Sequence, residues 1–241
     1  MKTNKKVALV TGANKGIGFE VAKILLDKSI SVIIGVRNLE KGKQAVKDLG
    51  NENVSFVQID ITDEKSIENA KNSITREFGK LDILINNAGV WLDFGVPMLE
   101  VSMTDIEKTF KVNTFGVIST IKHFLPLLKE SNEGRIVNVS SGLGSLKQSA
   151  DPNYEYYPYK SLAYNTSKSA LNALTILFAY ELRETNIKIN SADPGYCSTD
   201  LNGKTGPRTP EEGAKIIVEL ATLPENGTTC GFFDENGVIE W

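Results

Sequence analysis

Residues 7–18 of the chain read VALVTGANKGIG. The apolar run Val7–Val10 predicts a short buried strand, and the residues after Gly18 have the spacing of an amphipathic helix. Gly12, Gly16 and Gly18 therefore lie at a strand-to-helix turn, where the lack of a Cβ lets the backbone turn tightly and approach a pyrophosphate. The free N–H groups at the start of the helix favour the same anion. This stretch predicts the opening unit of a dinucleotide-binding α/β fold.

The rest of the chain repeats the alternation of short apolar runs with longer helical segments. Strands that are apolar throughout are typical of parallel sheets, which are buried on both faces. The predicted strands are Val7–Val10, Ser31–Val36, Val54–Gln58, Leu81–Asn86, Arg135–Val139, Lys188–Asp193 and, more weakly, Gly231–Phe233. Helices are predicted near 16–28, 39–49, 63–78, 103–129, 162–184 and 210–222. Because no linker or repeat interrupts the pattern, we expect one α/β domain over residues 1–241, a doubly wound parallel sheet of about seven strands flanked by helices.

Composition excludes several classes of function. The formal net charge is -3 and the basic residues are scattered, which gives no footprint for nucleic acid or an anionic membrane. The apolar run near the N-terminus is too short for a signal sequence or a membrane span, so we expect a cytoplasmic protein. The two cysteines and the one histidine form no metal-binding motif, so no metal is expected. His123 lies in a helical stretch and is interpreted as structural, and Cys197 as a lining residue.

The end of the second predicted strand bears on the cofactor. NAD sites usually place an acid about 20 residues beyond the glycines to hold the ribose 2′-hydroxyl. Here the strand ends in Gly35-Val36-Arg37, and Lys15 lies in the glycine turn. Two cations suit a 2′-phosphate, which arginine can bind through two hydrogen bonds. These residues favour NADP(H).

Three side chains predict the reacting centre. Tyr164 and Lys168 are four residues apart in a helical segment and so share a face. A nearby ammonium favours the phenolate, and we expect Lys168 to lower the pKa of Tyr164 into a useful range. Ser140 follows the fifth predicted strand, at the sheet edge where doubly wound folds bind ligands, and its hydroxyl suits a substrate carbonyl oxygen.

These motifs resemble the short-chain dehydrogenase/reductase family, and the glycine turn resembles its carbonyl-reductase branch. Family patterns match at Thr11-Gly12-Ala13-Asn14-Lys15-Gly16-Ile17-Gly18, Asn86-Asn87-Ala88-Gly89, Val137-Asn138-Val139-Ser140, Tyr164-Asn165-Thr166-Ser167-Lys168 and Pro194-Gly195-Tyr196-Cys197-Ser198-Thr199. The resemblance implies a Rossmann fold and cofactor contacts at Gly12, Asn14, Lys15, Gly16, Ile17, Gly18, Arg37, Asp60, Ile61, Asn87, Ala88, Gly89, Tyr164, Lys168, Pro194, Gly195 and Thr199. It also implies that Asn113 joins Ser140, Tyr164 and Lys168 by holding a water that relays protons.

The implied reaction is NADPH-dependent, reversible reduction of a ketone or aldehyde, a small-molecule carbonyl substrate, with Tyr164 as general acid. Two alternatives stay open. Some relatives reduce a C=C bond conjugated to a carbonyl, but those have lost the tyrosine. A non-catalytic NADP-binding sensor would have no reason to keep the spaced Ser140, Tyr164 and Lys168.

One segment departs from the family pattern. Between Ser140 and Tyr164 the chain is longer than in many relatives and includes a tyrosine-rich insert at 151–159. Such rings suit the wall of a substrate pocket, although a surface loop packed on itself fits equally well. The branch's longer insert blocks the usual pairing of subunits, which favours a monomer over a dimer. The short polar segment after Thr199 is interpreted as a mobile cover, and its shortness suggests a broad substrate range.

Overall fold

The computed structural model describes residues 5–241, so the first four residues of the predicted domain lie outside the described part. Eight strands in this part form one sheet in the order β3-β2-β1-β4-β5-β6-β7-β8. They are β1 (Val7–Thr11), β2 (Ser31–Val36), β3 (Val54–Gln58), β4 (Ile83–Asn86), β5 (Arg135–Val139), β6 (Lys188–Ala192), β7 (Phe232–Asp234) and β8 (Gly237–Val238). All neighbours are parallel except β7 and β8. The predicted single α/β domain with a parallel sheet is confirmed.

Helices cover both faces of this sheet. They are α1 (Gly16–Asp27), α2 (Leu39–Leu49), α3 (Glu64–Phe78), α4 (Met103–Phe110), α5 (Gly116–Lys129), α6 (Leu146–Ala150), α7 (Leu162–Glu181) and α8 (Pro210–Ala221). A π-helical turn, Lys111–Phe115, joins α4 to α5, so the helix predicted over 103–129 is continuous but locally widened. The sequence pattern missed α6 and β8. Elements of five and two residues are too short to show a hydrophobic period.

Apolar side chains form one core layer on each side of the sheet. The first joins the sheet to α1 and α8, through residues such as Val21, Leu25 and Ile217. The second joins it to α3, α5 and α7, through residues such as Ile67 and Phe124. Each residue of β1 is buried, as expected for a central parallel strand.

The sheet changes direction between β1 and β4. From β1 the chain winds outward to β2 and β3, and then returns to place β4 on the other side of β1. The loops that follow these two strands separate and leave a crevice at the carboxyl edge, which is the usual ligand site of a doubly wound fold. The glycine turn and Asn87 follow the two strands that border this crevice.

A row of buried polar side chains crosses the core between the sheet and α7. Asn86 donates to Asn138 Oδ1 (2.8 Å), and Asn138 donates to Thr175 Oγ1 (2.9 Å). The hydroxyls of Thr175 and Ser191 are hydrogen-bonded at 2.8 Å. Asn86 pairs in register with Asn138, and Asn138 pairs with Ser191. The row therefore links three adjacent strands at one level.

Candidate active site

The glycine turn is held in place by the loop after β4. Gly12 and Gly16 have φ values of +68° and +59°, in the left-handed region that favours glycine. A Cβ on Gly12 would lie 2.9 Å from Ala88 Cα, so the two loops touch at the backbone. Asn87 donates its side-chain amide to Thr11 O (2.8 Å), and Thr11 Oγ1 accepts from the N–H groups of Asn87 and Ala88 (3.0 and 3.1 Å). The asparagine loop thus fixes the shape of the turn.

The start of α1 fits an anionic ligand. Its N-cap residue, Lys15, makes no capping hydrogen bond with its side chain, and the first turn holds no acidic residue. The first N–H groups of this helix therefore lack the side-chain acceptor that usually satisfies them. Thr199 lies opposite, since its Cγ2 is 3.7 Å from the place of a Cβ on Gly16. A pyrophosphate would satisfy these donors without displacing a carboxylate.

The predicted adenosine side of the crevice holds the two cations. Arg37 is exposed just after β2, and Lys15 is exposed and paired with Asp200. Asp60, after β3, accepts hydrogen bonds from Thr62 N (2.9 Å) and Thr62 Oγ1 (2.7 Å). Although burial opposes it, these bonds and the nearby Arg37 hold the pKa of the Asp60 carboxyl below its ordinary value. Next to Asp60, Ile61 is buried.

Two side chains from the loop after β4 hold Tyr164. The buried carboxylate of Asp93 accepts from the backbone N–H groups of Ala163 (2.7 Å) and Tyr164 (3.3 Å), and so caps the start of α7 from a distance. The Trp91 ring stacks on the Tyr164 ring, with centroids 4.3 Å apart and planes at 13°. Trp91 Nε1 donates to Ser161 Oγ (2.8 Å). The tyrosine is thus held through both its backbone and its ring.

We expect Asp93→Ala to lower the free energy of unfolding by about 1–3 kcal/mol, because buried N–H groups lose their acceptor. It is also expected to lower kcat, since Tyr164 lies in the turn that loses its cap. Urea unfolding and steady-state kinetics measure the two effects. Asp63→Ala is the matched control, because Asp63 caps α3 on the surface. That change should lower the free energy of unfolding by about 1 kcal/mol and leave kcat unchanged. An unchanged kcat in Asp93→Ala contradicts the positioning role.

Lys168 and Asn113 meet at the loop after β4. Lys168 Nζ donates to Val139 O (2.8 Å). Asn113 is buried in the π-helical turn, where its amide donates to Val90 O (2.9 Å) and Ser167 Oγ (3.0 Å), and its Oδ1 accepts from Val90 N (2.9 Å). Asn113 Oδ1 and Lys168 Nζ lie 3.4 and 3.7 Å from the place of a Cβ on Gly89. Asn113 therefore faces the site and not solvent.

The two serines after β5 have different neighbours. Ser140 is buried, and its hydroxyl donates to Asn172 Oδ1 on α7 (2.6 Å). Both serines line the same pocket as Tyr164, and a hydrogen bond from the Ser141 side chain lowers the pKa of the Tyr164 phenol. The geometry does not favour the role predicted for Ser140, because its one proton is already donated into the core. Ser141 Oγ accepts from Leu143 N (3.2 Å), so its own proton can be directed into the pocket.

The pKa values of Tyr164 and Lys168 differ from the sequence-based expectation. Burial raises the pKa of Tyr164 above its ordinary value, the Asp193 carboxyl acts in the same direction, and only Ser141 opposes them. Burial lowers the pKa of Lys168 to about 8, against the influence of Asp193. Lys168 Nζ lies 5.6 Å from the tyrosine ring centroid, and the fall in the tyrosine pKa expected from its ammonium is not found. Tyr164 therefore keeps its proton at neutral pH, as a proton donor requires.

Ser140, Ser141 and Tyr164 line one pocket. It lies at the crevice between the loops after β5 and β6, and Pro194, Gly195 and Thr199 form one wall. Cys197 also lines the pocket; its Sγ donates to Pro194 O (3.2 Å), and burial raises the pKa of its thiol to about 11. It is therefore a lining thiol and not a nucleophile. His123 lies apart in α5, where Nδ1 is 2.8 Å from Ser119 O.

A protein-family model described as short chain dehydrogenase matches residues 6–210. The chain belongs to the short-chain dehydrogenase family. "Short-chain dehydrogenase anuI" of Penicillium roqueforti is 36% identical, with 98% of this chain and 97% of the relative covered. "Carbonyl reductase [NADPH] 1" of Sus scrofa is 32% identical, with 100% and 96% covered. Among solved structures, the NADPH-bound carbonyl reductase from chicken fatty liver has a TM-score of 0.87 at 27% identity, with 99% and 100% covered.

The sequence-based interpretation of this short-chain dehydrogenase missed four residues around Tyr164, namely Trp91, Asp93, Ser141 and Asp193. The sequence held one signal for Ser141. Ser140 is two residues beyond Asn138, so both belong to the same face of an extended strand, and both in fact bond to α7. Trp91 and Asp93 lie in the loop after β4, whose path no local pattern determines, whereas Asp193 directly follows β6.

Within residues 5–241, no group of three or more His, Cys, Asp or Glu side chains is arranged to hold a metal ion. Among the described helices, none combines the length and apolar character needed to cross a bilayer.

Proposed function

We propose that this short-chain dehydrogenase reduces a ketone or aldehyde to an alcohol with NADPH, and that Tyr164 is the proton donor. The observation that carries the proposal is the convergence of Ser141 and Tyr164 at a pocket beside the glycine turn. Lys168 lies behind them, one helical turn along α7. The relatives whose names specify carbonyl reduction with NADPH support the same reaction.

NADPH would supply the hydride. The glycine turn and the start of α1 would hold its pyrophosphate, because their N–H groups have no side-chain acceptor. Lys15 and Arg37 would bind the 2′-phosphate through charge-assisted hydrogen bonds. The predicted contacts at Asn14, Ile17, Asp60, Ile61, Asn87, Ala88, Gly89, Pro194, Gly195 and Thr199 remain part of this proposal.

The protein's own groups would complete the reaction at the carbonyl oxygen. The Ser141 hydroxyl donates a hydrogen bond to that oxygen and draws negative charge toward it. Tyr164, which burial keeps protonated, gives its proton as the alkoxide develops. Lys168 and Asn113 lie on the inner side of Tyr164, where the lysine charge stabilises the phenolate that remains. A water held near Asn113 would return the proton.

A panel of ketones and aldehydes, followed by NADPH consumption and run in parallel with NADH, tests this proposal. We expect turnover of at least one carbonyl compound with a preference for NADPH. The panel includes an enone, and identifying the saturated bond separates carbonyl reduction from C=C reduction. Tight NADPH binding without turnover of any carbonyl would favour a sensor instead. The expected monomer and the cytoplasmic location stay predictions.

Arg37→Gln tests the choice of cofactor. We expect kcat/KM for NADPH to fall by about 10–100-fold, because a charge-assisted pair of hydrogen bonds is lost. The value for NADH should change little, since NADH has no 2′-phosphate. Arg76→Gln, on the exposed surface of α3, is the control and should leave both values unchanged. An equal loss with both cofactors would contradict the assignment of Arg37 to the 2′-phosphate.

A further inference from the structure

The substrate pocket beside Tyr164 combines many aromatic rings with one carboxyl group. Asp193 is the one acidic side chain among the described residues that line it, and none of those residues is lysine, arginine or histidine. The aromatic lining residues are Trp91, Tyr154, Tyr156, Tyr159, Tyr164 and Tyr196. A pocket of this composition is complementary to an organic cation, because ring faces and a carboxylate both attract positive charge.

The tyrosine-rich insert supplies half of these rings, namely Tyr154, Tyr156 and Tyr159. Tyr156, Tyr159 and Tyr196 form a triangle in which each pair of ring centroids is 6.0 Å apart. Tyr154 meets Tyr156 edge to face at 5.6 Å. Both interpretations of the insert therefore hold in part, since its rings pack on one another and also line the pocket. Burial raises the pKa of Tyr154 and of Tyr156, so these phenols stay neutral and act through their rings.

Asp193 lies at the end of β6 and is held by backbone groups. Its Oδ1 accepts from Gly195 N (2.9 Å), and its Oδ2 lies 2.9 Å from the place of a Cβ on Gly142. Burial raises the pKa of this carboxyl, whereas hydrogen bonds from the backbone of Gly195 and Gly142 act to lower it. A carboxyl so placed is stabilised in its charged form when a cation comes near.

The basic side chains near Asp193 bond to other groups through their terminal nitrogens, although Arg208 Nε is buried without a partner. Arg208 influences its pKa, but the Arg208 guanidinium is bonded through both terminal nitrogens to Glu235. Lys168 also feels the Asp193 charge, yet its Nζ donates to Val139 O. No salt bridge to Asp193 occurs within residues 5–241. The carboxyl is therefore available to a cationic ligand.

We propose that the pocket selects carbonyl substrates that carry a cationic amine, with Asp193 binding the ammonium and the rings of Tyr156, Tyr159 and Tyr196 surrounding it. This inference rests on the proposed carbonyl reduction, since it names the class of substrate. The chemistry is that of aromatic cages for quaternary ammonium groups, completed by a carboxylate. It narrows the broad substrate range suggested by the short cover segment.

Two ketones of the same shape test the proposal. N,N-Dimethyl-4-oxopiperidinium carries a permanent charge, and 4,4-dimethylcyclohexanone is its neutral counterpart. With the wild-type protein we expect kcat/KM to favour the cation by about tenfold or more. Asp193→Asn keeps the shape but removes the charge, and should bring the ratio close to one. Asp151→Asn removes an exposed carboxylate of the same insert that does not line the pocket, and should keep the wild-type ratio.

The outcomes separate this inference from the proposed function. Equal kcat/KM for both ketones in the wild type overturns the cation site and leaves carbonyl reduction standing. If no carbonyl compound is turned over, the proposed function is wrong. Calorimetry with N,N-dimethylpiperidinium then tests the cation site independently, by measuring its binding affinity. Binding that weakens about tenfold in Asp193→Asn supports the site, and absent or unchanged binding overturns it.

Two further measurements address a cofactor role of Asp193 and a folding defect of the Asp193→Asn variant. If Asp193→Asn weakens binding of NADP+ relative to NADPH and leaves the ketone ratio unchanged, the carboxylate serves the oxidised cofactor and the proposal is overturned. If Asp193→Asn does not fold, Tyr159→Leu removes a ring that is 44% exposed. A severalfold fall in the ketone ratio then supports the cage, and an unchanged ratio overturns it.

Discussion

Tyr164→Phe is expected to lower kcat for carbonyl reduction by about 10²–10⁴-fold, because a positioned proton donor usually accelerates a reaction by that factor. The change removes the hydroxyl alone. The ring should keep its stack on Trp91, and the backbone N–H of residue 164 should keep its bond to Asp93. Stopped-flow or steady-state NADPH oxidation measures the loss, and NADPH binding by fluorescence titration should stay near the wild-type value.

Tyr180→Phe is the matched control. Tyr180 lies on the same helix, α7, but its side chain is exposed and remote from the pocket. The same loss of one phenolic oxygen there should leave kcat unchanged. Full activity in Tyr164→Phe would falsify the mechanism, and a large loss of NADPH affinity would show that the tyrosine binds cofactor more than it donates a proton.

Ser141→Ala is expected to lower kcat by about 10²–10³-fold, because removing one donor to a developing oxyanion has that effect in other enzymes. Its stability should change little, since Ser141 contributes one acceptor to the local turn, at Leu143 N (3.2 Å). The paired readouts are the kinetics with a good ketone substrate and the free energy of unfolding in urea.

Ser140→Ala should show the opposite pattern. It deprives buried Asn172 of its hydrogen bond, and Asn172 Nδ2 already has no partner, so we expect a loss of about 1–3 kcal/mol in stability. The effect on kcat should be small. If Ser140→Ala is the variant that loses turnover, the assignment returns to the serine that the motif first indicated.

The main elements could be predicted because their signals are local. The glycine turn, the apolar strands and the spacing of Tyr164 and Lys168 depend on neighbours in the chain. The role of Ser140 as donor to the substrate carbonyl oxygen was harder to predict, because the side chains of two adjacent serines at a strand end point in different directions. The deciding contact comes from Asn172, 32 residues farther along the chain.

Other parts of the site depend on how loops return to the sheet. Asp93 caps a helix that begins 69 residues later, by the difference of their numbers, so no capping motif could reveal it. Trp91 stacks on Tyr164 only because the loop after β4 crosses the start of α7. The expected fall in the pKa of Tyr164 was wrong for a related reason. The spacing of two residues along a helix does not show how deeply they are buried, and burial raises this pKa.

The buried row formed by Asn86, Asn138, Thr175 and Ser191 has a consequence for accuracy in folding. Apolar strands tolerate sliding past one another, because one aliphatic contact replaces another at little cost. A shift of one residue here would point Asn138 to the opposite face of the sheet and leave its amide buried without partners. The row therefore favours the correct register of the three strands over shifted ones. The position of Ser141 in the pocket, three residues beyond Asn138, therefore depends on the correct pairing of β4 and β5.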